Sequence, residues 1–154
     1  MAAFIEWSEK ISVGIQEIDE QHKQLVDLIN RLFDAMTTGK EKLQVAKEIL
    51  NELTQYTIVH FSVEESLFRI FDYPEYDKHC EKHNSLREKV AEINEKVQSG
   101  ERMITPELLT FLKKWITNHI MVEDKAYSPF FLERGLKKNW EKKSWIGRIW
   151  RSKN

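Results

Sequence analysis

The stretch AKEILNELTQYTIVHFSVEESLFRIF, residues 46–71, carries the pattern that decides the fold. Apolar residues recur in it every three or four positions, as on one face of an α-helix. This face consists of Ala46, Ile49, Leu50, Leu53, Tyr56, Thr57, His60, Phe61, Glu64, Leu67, Phe68 and Phe71. His60 and Glu64 stand where the period requires core residues. The stretch therefore predicts a long helix whose buried face carries an imidazole and a carboxylate four residues apart.

Three other segments of the chain show the same helical period. We expect helices over residues 19–38, 41–71 and 75–98, and a fourth that opens at residues 105–107 and that Pro129 ends or kinks. Four amphipathic helices with short connections predict an all-α, antiparallel up-down four-helix bundle. The predicted bundle domain is 1–133, with residues 1–18 as an N-terminal arm along it, and residues 134–154 form a basic C-terminal extension.

Composition and charge narrow the class of protein. The chain has 154 residues and a formal net charge of −1, which suits one soluble domain and does not suggest nucleic acid as a partner. Its one cysteine, Cys80, excludes an internal disulfide. The first residues lack the features of a signal peptide, and no apolar run approaches the roughly 18 residues needed to span a membrane. We expect a cytoplasmic protein that is monomeric.

All five histidines fall on predicted core faces: His22, His60, His79, His83 and His119. A lone inward histidine is usually a hydrogen-bonded core residue, but five would each require a buried partner, and an unpaired polar group costs roughly 1–3 kcal/mol. A metal satisfies several of them at once. With Glu64 and Asp124, the histidines offer more ligands than one tetrahedral zinc takes, which suits two metal ions bridged by carboxylates. Imidazole with carboxylate favours iron.

The fourth predicted helix contains an irregular spacing in HIMVED, residues 119–124. Five residues turn an α-helix through about 500°, so His119 and Asp124 should point to different faces. The other histidine and acid pairs are four residues apart, where side chains share a face. Two explanations stay open. Asp124 reaches between two metals while His119 binds one, or an extra residue in the turn forms a π-bulge.

Together these motifs resemble those of the hemerythrins, in particular the single-domain bacterial members of that family. The resemblance covers about residues 4–133. It is carried by Trp7 and by GIQEIDEQHKQL at 14–25, HFSVEE at 60–65, YPEYDKHCEKH at 73–83 and HIMVEDKAY at 119–127. A single histidine, then HxxxE, HxxxH and HxxxxD on four successive helices form a highly specific combination, although each piece alone is weak.

The resemblance implies a non-haem di-iron centre, bridged by an oxo or hydroxo group, that binds O2 reversibly for transport, storage or delivery. It assigns His79, His83 and His119 to one iron, and His22 and His60 to the other. Glu64 and Asp124 would bridge the two irons. O2 would bind at the open position of the two-histidine iron. So few anionic ligands should stabilise high-valent iron poorly, which favours O2 binding over O–O cleavage and a protein that is not an enzyme.

Apolar residues near the ligand positions predict a dry O2 pocket. The set is Leu25, Val26, Phe61, Trp115, Ile116 and Ile120. Similar residues shield the O2 site in the family, although core packing alone explains the same pattern. Two other functions stay open. One is a module that senses O2, nitric oxide or iron and reports to a partner, and the other is an enzyme that reduces peroxide or nitric oxide.

Several neighbouring residues have weaker claims to a role in the site. We expect Glu65 and Glu123 to be solvated or to lie beside the ligands rather than to bind metal. Cys80 should point away from the site. Tyr76 and Tyr127 lie on core faces, where packing is a better explanation for them than hydrogen bonds to ligands.

The C-terminal extension differs from the rest of the chain in its charge and its tryptophan content. Residues 134–154 hold eight Lys or Arg, one Glu and three of the five tryptophans, whereas residues 1–133 are acidic. Basic residues beside Trp and Ile can form an interfacial helix. The extension could therefore dock on a membrane surface or on an acidic protein partner, fold onto its own acidic bundle, or stay disordered.

Overall fold

A computed structural model describes residues 3–38 and 42–135 of the chain. Within these residues the backbone forms four antiparallel helical rods. The first three rods are α1 (Gln16–Thr38), α2 (Lys42–Ile70) and α3 (Tyr76–Ser99). The fourth rod is composed of α4 (Pro106–Asn118), a π-helical segment (His119–Asp124) and α5 (Lys125–Glu133). The predicted all-α four-helix bundle is confirmed.

The core follows the helical period of the sequence. Helix α1 packs against α2 and α4, and α2 packs against α3. The faces that meet are lined with leucine and isoleucine side chains that are almost fully buried, among them Leu25, Ile29, Leu32, Leu50, Leu53 and Ile116. Because every rod buries one apolar face, the polar residues on those faces are buried with it.

Local signals set the ends of the third and fourth rods. Gly100 ends α3 in the left-handed region at φ 85°, with its amide bonded to the carbonyl of Val97. The Thr105 hydroxyl accepts a hydrogen bond of 3.1 Å from the Leu108 amide and caps α4. Helix α5 continues through Pro129 to Glu133, so of the two expected outcomes, an end or a kink at that proline, the end is excluded. Buried Tyr127, Ser128 and Phe131 hold the backbone on both sides of it.

The N-terminal arm, residues 3–15, packs along the bundle as predicted. Its Ile5, Ile11 and Val13 side chains are buried. The Asn30 side chain of α1 accepts a bond of 2.7 Å from the Ile5 amide and donates one of 2.9 Å to the Ile5 carbonyl. The Asp19 carboxylate accepts from the Val13 amide at 2.8 Å. Helix α1 begins three residues earlier than the sequence predicts, directly after this arm.

The C-terminal extension is described only at its first two residues. Its predicted docking on a membrane or an acidic partner lies outside the described residues and stays a prediction, as do the domain boundary, the monomeric state and the cytoplasmic location. None of the helices in residues 3–38 and 42–135 combines the length and the apolar character that a membrane-spanning helix requires.

Paired substitutions in α2 test the core. Leu53 is 0% exposed and Leu43 is 53% exposed. We expect Leu53→Ala to lower the free energy of unfolding by about 2–5 kcal/mol, because it removes buried methyl groups and leaves a cavity. Leu43→Ala should change it by no more than about 0.5 kcal/mol. Urea denaturation followed by circular dichroism measures both, and equal effects would contradict this core.

Candidate metal centre

Seven polar side chains from all four rods meet in the core. They are the five histidines and two acids singled out in the sequence: His22 of α1, His60 and Glu64 of α2, His79 and His83 of α3, and His119 and Asp124 of the π segment. None of them is more than 5% exposed. Burial of these groups costs free energy unless they bind one another or a cation, because each of them loses its hydrogen bonds to water.

The seven side chains divide into two overlapping groups. In one, ligand atoms of three histidines and both carboxylates lie within 4.8 Å of one another; the histidines are His79, His83 and His119. In the other, His22 and His60 join the same two carboxylates within the same distance. Glu64 and Asp124 therefore belong to both groups. We call these the three-histidine group and the two-histidine group.

Several contacts inside the cluster are short but poorly directed for hydrogen bonds. His60 Nε2 lies 3.0 Å from Glu64 Oε1, and His83 Nε2 lies 3.4 Å from the same oxygen. Nevertheless Glu64 Oε1 and His83 Nε2 have no hydrogen-bond partner among the described residues, and the same is true of Asp124 Oδ2 and His119 Nε2. Converging lone pairs of imidazole and carboxylate fit a metal cation, which would satisfy these atoms together.

A wide helical turn explains the five-residue spacing of His119 and Asp124 in the fourth rod. Residues His119–Asp124 are π-helical, and the Lys125 amide bonds to the Ile120 carbonyl five residues before it. The extra residue in the turn brings His119 and Asp124 to one side of the rod, with Nε2 and Oδ1 3.2 Å apart. Of the two explanations left open by the sequence, the structure shows the π-bulge.

A second layer of side chains holds three of the histidine rings by their outer nitrogen. His83 Nδ1 donates to Glu65 Oε2 at 2.8 Å, and His119 Nδ1 donates to Glu123 Oε2 at 2.6 Å. His60 Nδ1 donates to the Gln21 amide oxygen at 2.7 Å. These bonds orient the rings so that Nε2 faces the cluster, and in the neutral imidazole they select the tautomer whose Nε2 lone pair is free to bind a metal.

The sequence placed two of these outer partners near the cluster but did not predict their bonds. Glu65 and Glu123 were expected to be solvated or to lie beside the ligands, and both in fact bond to histidines of the cluster. Gln21 was missed. On a helix it points about 100° away from its neighbour His22, and nothing in its position relates it to His60 on another rod.

Tyr127 contacts the cluster directly, whereas the sequence favoured packing alone. Its hydroxyl donates to Glu64 Oε2 at 2.6 Å, and the residue is 1% exposed. Burial, with the nearby Glu64 charge, raises the pKa of Tyr127 well above its ordinary value, so the phenol stays protonated and remains a donor. Tyr76 instead bonds to Arg69 away from the cluster, and half-buried Cys80 is not part of it.

The charges of the cluster suit metal binding. Burial would raise the pKa of Glu64, but the neighbouring His60 and His83 hold it well below its ordinary range. Burial lowers the pKa of His60, so this imidazole is neutral at pH 7. Burial also opposes a charge on His83, but the neighbouring carboxylates of Glu64 and Glu65 outweigh it and raise the pKa to about 9. A metal at this position would therefore displace a proton from His83.

The residues predicted to line an O2 pocket lie in different parts of the core. Leu25, Val26, Ile116 and Ile120 are buried within the main apolar cluster, and Trp115 is half-buried at its edge. Phe61 is buried and stacks on His83, with ring centroids 4.0 Å apart. It therefore lies against the three-histidine group. The assignment of these residues to an O2 pocket stays a prediction.

The fold and the cluster define a class: a helical-bundle protein whose core contains two overlapping groups of residues that could each hold a metal ion and that have two carboxylates in common. The sequence and the fold both match one family. The family model Hemerythrin HHE cation binding domain covers residues 13–131. The chain therefore belongs to the hemerythrin family, and the resemblance noted in the sequence is confirmed.

Individual relatives agree with this assignment. The chain is 38% identical over 125 residues to a bacteriohemerythrin of Pseudomonas aeruginosa, covering 81% of this chain and 80% of that protein. It is 29% identical over 128 residues to a bacteriohemerythrin of Methylococcus capsulatus, covering 82% and 96%. A crystal structure of wild-type hemerythrin matches with a TM-score of 0.77 and 28% identity, over 82% of this chain and 97% of that one.

Removal of one hydroxyl tests the contact between Tyr127 and Glu64. Tyr127→Phe should lower the free energy of unfolding by about 1.5–3 kcal/mol, because a buried carboxylate oxygen loses its donor. Tyr76→Phe is the matched control, since its hydroxyl bonds to the exposed side chain of Arg69, and it should cost less than about 0.5 kcal/mol. Chemical denaturation gives both values, and a neutral Tyr127→Phe would show that this bond contributes nothing.

Proposed function

We propose that this chain binds O2 reversibly at a non-haem di-iron centre, and that it carries, stores or delivers O2 rather than catalysing a reaction. The observation that supports the proposal is the pair of overlapping ligand groups, which have Glu64 and Asp124 in common. These two carboxylates would bridge the two metals. The second position has two histidines where the first has three. A metal there would therefore have fewer protein ligands and a coordination position left for an exogenous one.

Membership of the hemerythrin family and the chemistry of the donor set support the choice of iron and O2. Imidazole and carboxylate together suit iron. Iron bound in this way supplies electrons and an open coordination position for O2. The remaining requirements fall to the protein, which has to hold the metals, orient the ligands and keep water away.

The chain's own residues meet these requirements. Glu65, Glu123 and Gln21 orient three histidine rings through Nδ1. Tyr127 keeps its proton at the hydroxyl and holds one oxygen of Glu64. The histidines are surrounded by buried apolar residues, which exclude water from the cluster. A dry surrounding slows proton delivery from solvent and so favours release of O2 as O2.

The decisive experiment follows O2 binding directly. Protein loaded anaerobically with ferrous iron should contain two irons per chain. Addition of O2 should produce a visible absorption band that disappears when O2 is removed, over several cycles. Visible spectroscopy with iron analysis measures this. Irreversible oxidation would contradict a carrier and favour a sensor or an enzyme, and rapid substrate-dependent O2 consumption would point to the enzyme.

The polarity of the predicted pocket should control the rate at which the oxygenated protein autoxidises. Ile116 is 0% exposed and is one turn before Ile120. Ile116→Thr should speed autoxidation by about tenfold or more, because a hydroxyl admits water and protons to a site that is otherwise dry. Ile116→Val, which keeps the site apolar, should change the rate much less. The decay of the visible band in air measures both, and equal rates would remove Ile116 from the shielding role.

A further inference from the structure

The outer partners of the cluster, Glu65, Glu123 and Gln21, are distributed unequally between the two groups. Both carboxylates bond to histidines of the three-histidine group, at 2.8 Å to His83 and 2.6 Å to His119. The two-histidine group has only the neutral Gln21 amide, at 2.7 Å from His60 Nδ1. The Nδ1 atom of its other histidine, His22, has no hydrogen-bond partner among the described residues.

The two carboxylates are themselves fixed by cations from α3. Glu65 Oε2 accepts from Arg87 Nη2 at 2.5 Å as well as from His83. Glu123 Oε1 lies 3.6 Å from Lys82 Nζ, which belongs to a side chain that is 44% exposed. Arg87 therefore offsets more of the Glu65 charge than the solvent-screened Lys82 offsets of the Glu123 charge. Gln21 is 2% exposed and adds no charge to its side of the cluster.

A carboxylate that accepts the Nδ1–H of a ligating histidine makes Nε2 a stronger donor, and a neutral amide does so much less. We propose that Glu65 and Glu123 act as positioning residues whose negative charge makes the three-histidine position the tighter metal site and the more readily oxidised one. Gln21, by contrast, orients His60 without adding electron density and leaves the two-histidine position electron-poor. The inference rests on the two-metal centre proposed above.

Glutamine variants separate charge from orientation. A glutamine at position 65 or 123 keeps an oxygen that can accept the Nδ1–H and hold the ring, but it removes the negative charge. Gln21→Glu makes the opposite change on the other group. If the outer partners only orient the rings, all three variants should bind metal like the unaltered chain.

The first measurement is a titration of the full chain with Zn²⁺ against a competing chelator, which requires neither O2 nor a redox step. The unaltered chain should bind two ions in two resolved steps. Glu123→Gln and Glu65→Gln should weaken the tighter step by about 10–100-fold and the weaker step by less than about threefold, with the larger effect at Glu123. Gln21→Glu should tighten the weaker step.

Two controls identify the steps. Glu92→Gln removes an exposed carboxylate of α3 that pairs with Lys96, and it should leave both steps unchanged. His22→Ala should lose the weaker step and keep the tighter one. If that variant fails to fold, as circular dichroism would show, the step tightened by Gln21→Glu identifies the two-histidine position.

The second measurement is the midpoint potential of the iron-loaded protein under anaerobic conditions. Both Glu→Gln variants should raise the potential of the first oxidation, by about 59 mV for each tenfold change in the relative affinity for the oxidised and reduced metal. Gln21→Glu should lower the potential of the second. A role limited to ring orientation would leave these potentials in place.

The outcomes separate the inference from the proposed function. Equal weakening of both zinc steps in the Glu→Gln variants, or changes below threefold throughout, would overturn the inference and leave the di-iron centre intact. One zinc per unaltered chain would overturn the two-metal centre and the inference with it. Neither result depends on whether the iron protein releases O2.

Discussion

The structure depends on the complete burial of two carboxylates, Glu64 and Asp124, among five imidazoles. A buried carboxylate without a cationic or hydrogen-bonding partner is among the most costly groups in a protein core. The compensating contacts come from every rod: Asp124 meets His22 of α1 at 2.9 Å and His79 of α3 at 3.1 Å. The rods cannot slide past one another without separating these groups, so the site also fixes the register of the bundle.

This constraint explains why the fourth rod departs from a regular α-helix. Leu112 and Ile116 before the π segment and Tyr127 and Phe131 after it all face the core. The segment between them must also turn a histidine and an aspartate inward. One additional residue in the turn achieves this, at the expense of regular hydrogen bonding over a short stretch. Irregular helical turns of this kind are frequent at functional sites.

Aromatic side chains complete the surroundings of the cluster. Phe61 stacks on His83 at an interplanar angle of 8°, and Phe68 meets His79 edge-on with centroids 4.8 Å apart. These contacts restrict the two imidazole rings, and His83 is also held at Nδ1 by its bond to Glu65. The same residues are apolar, so the rings are held without admitting water. Orientation and dryness thus arise from one set of contacts.

The sequence alone determined the fold class and the residues of the cluster. The 3.6-residue period marks four buried faces, and histidines and acids on those faces stand out because burial without compensation is costly. The packing of the N-terminal arm along the bundle was also predictable, because its apolar residues have to be buried against another part of the protein. These features depend on local spacing and on the identity of single residues.

Only the tertiary structure decided how the cluster is arranged. Periodicity assumes a regular helix, so it could raise the π turn at His119–Asp124 as an alternative but could not choose it. The bonds of Gln21 to His60 and of Tyr127 to Glu64 join residues 39 and 63 positions apart. Such bonds depend on how separate rods are rotated against each other. That rotation is set by the packing of the whole core, which no local spacing records.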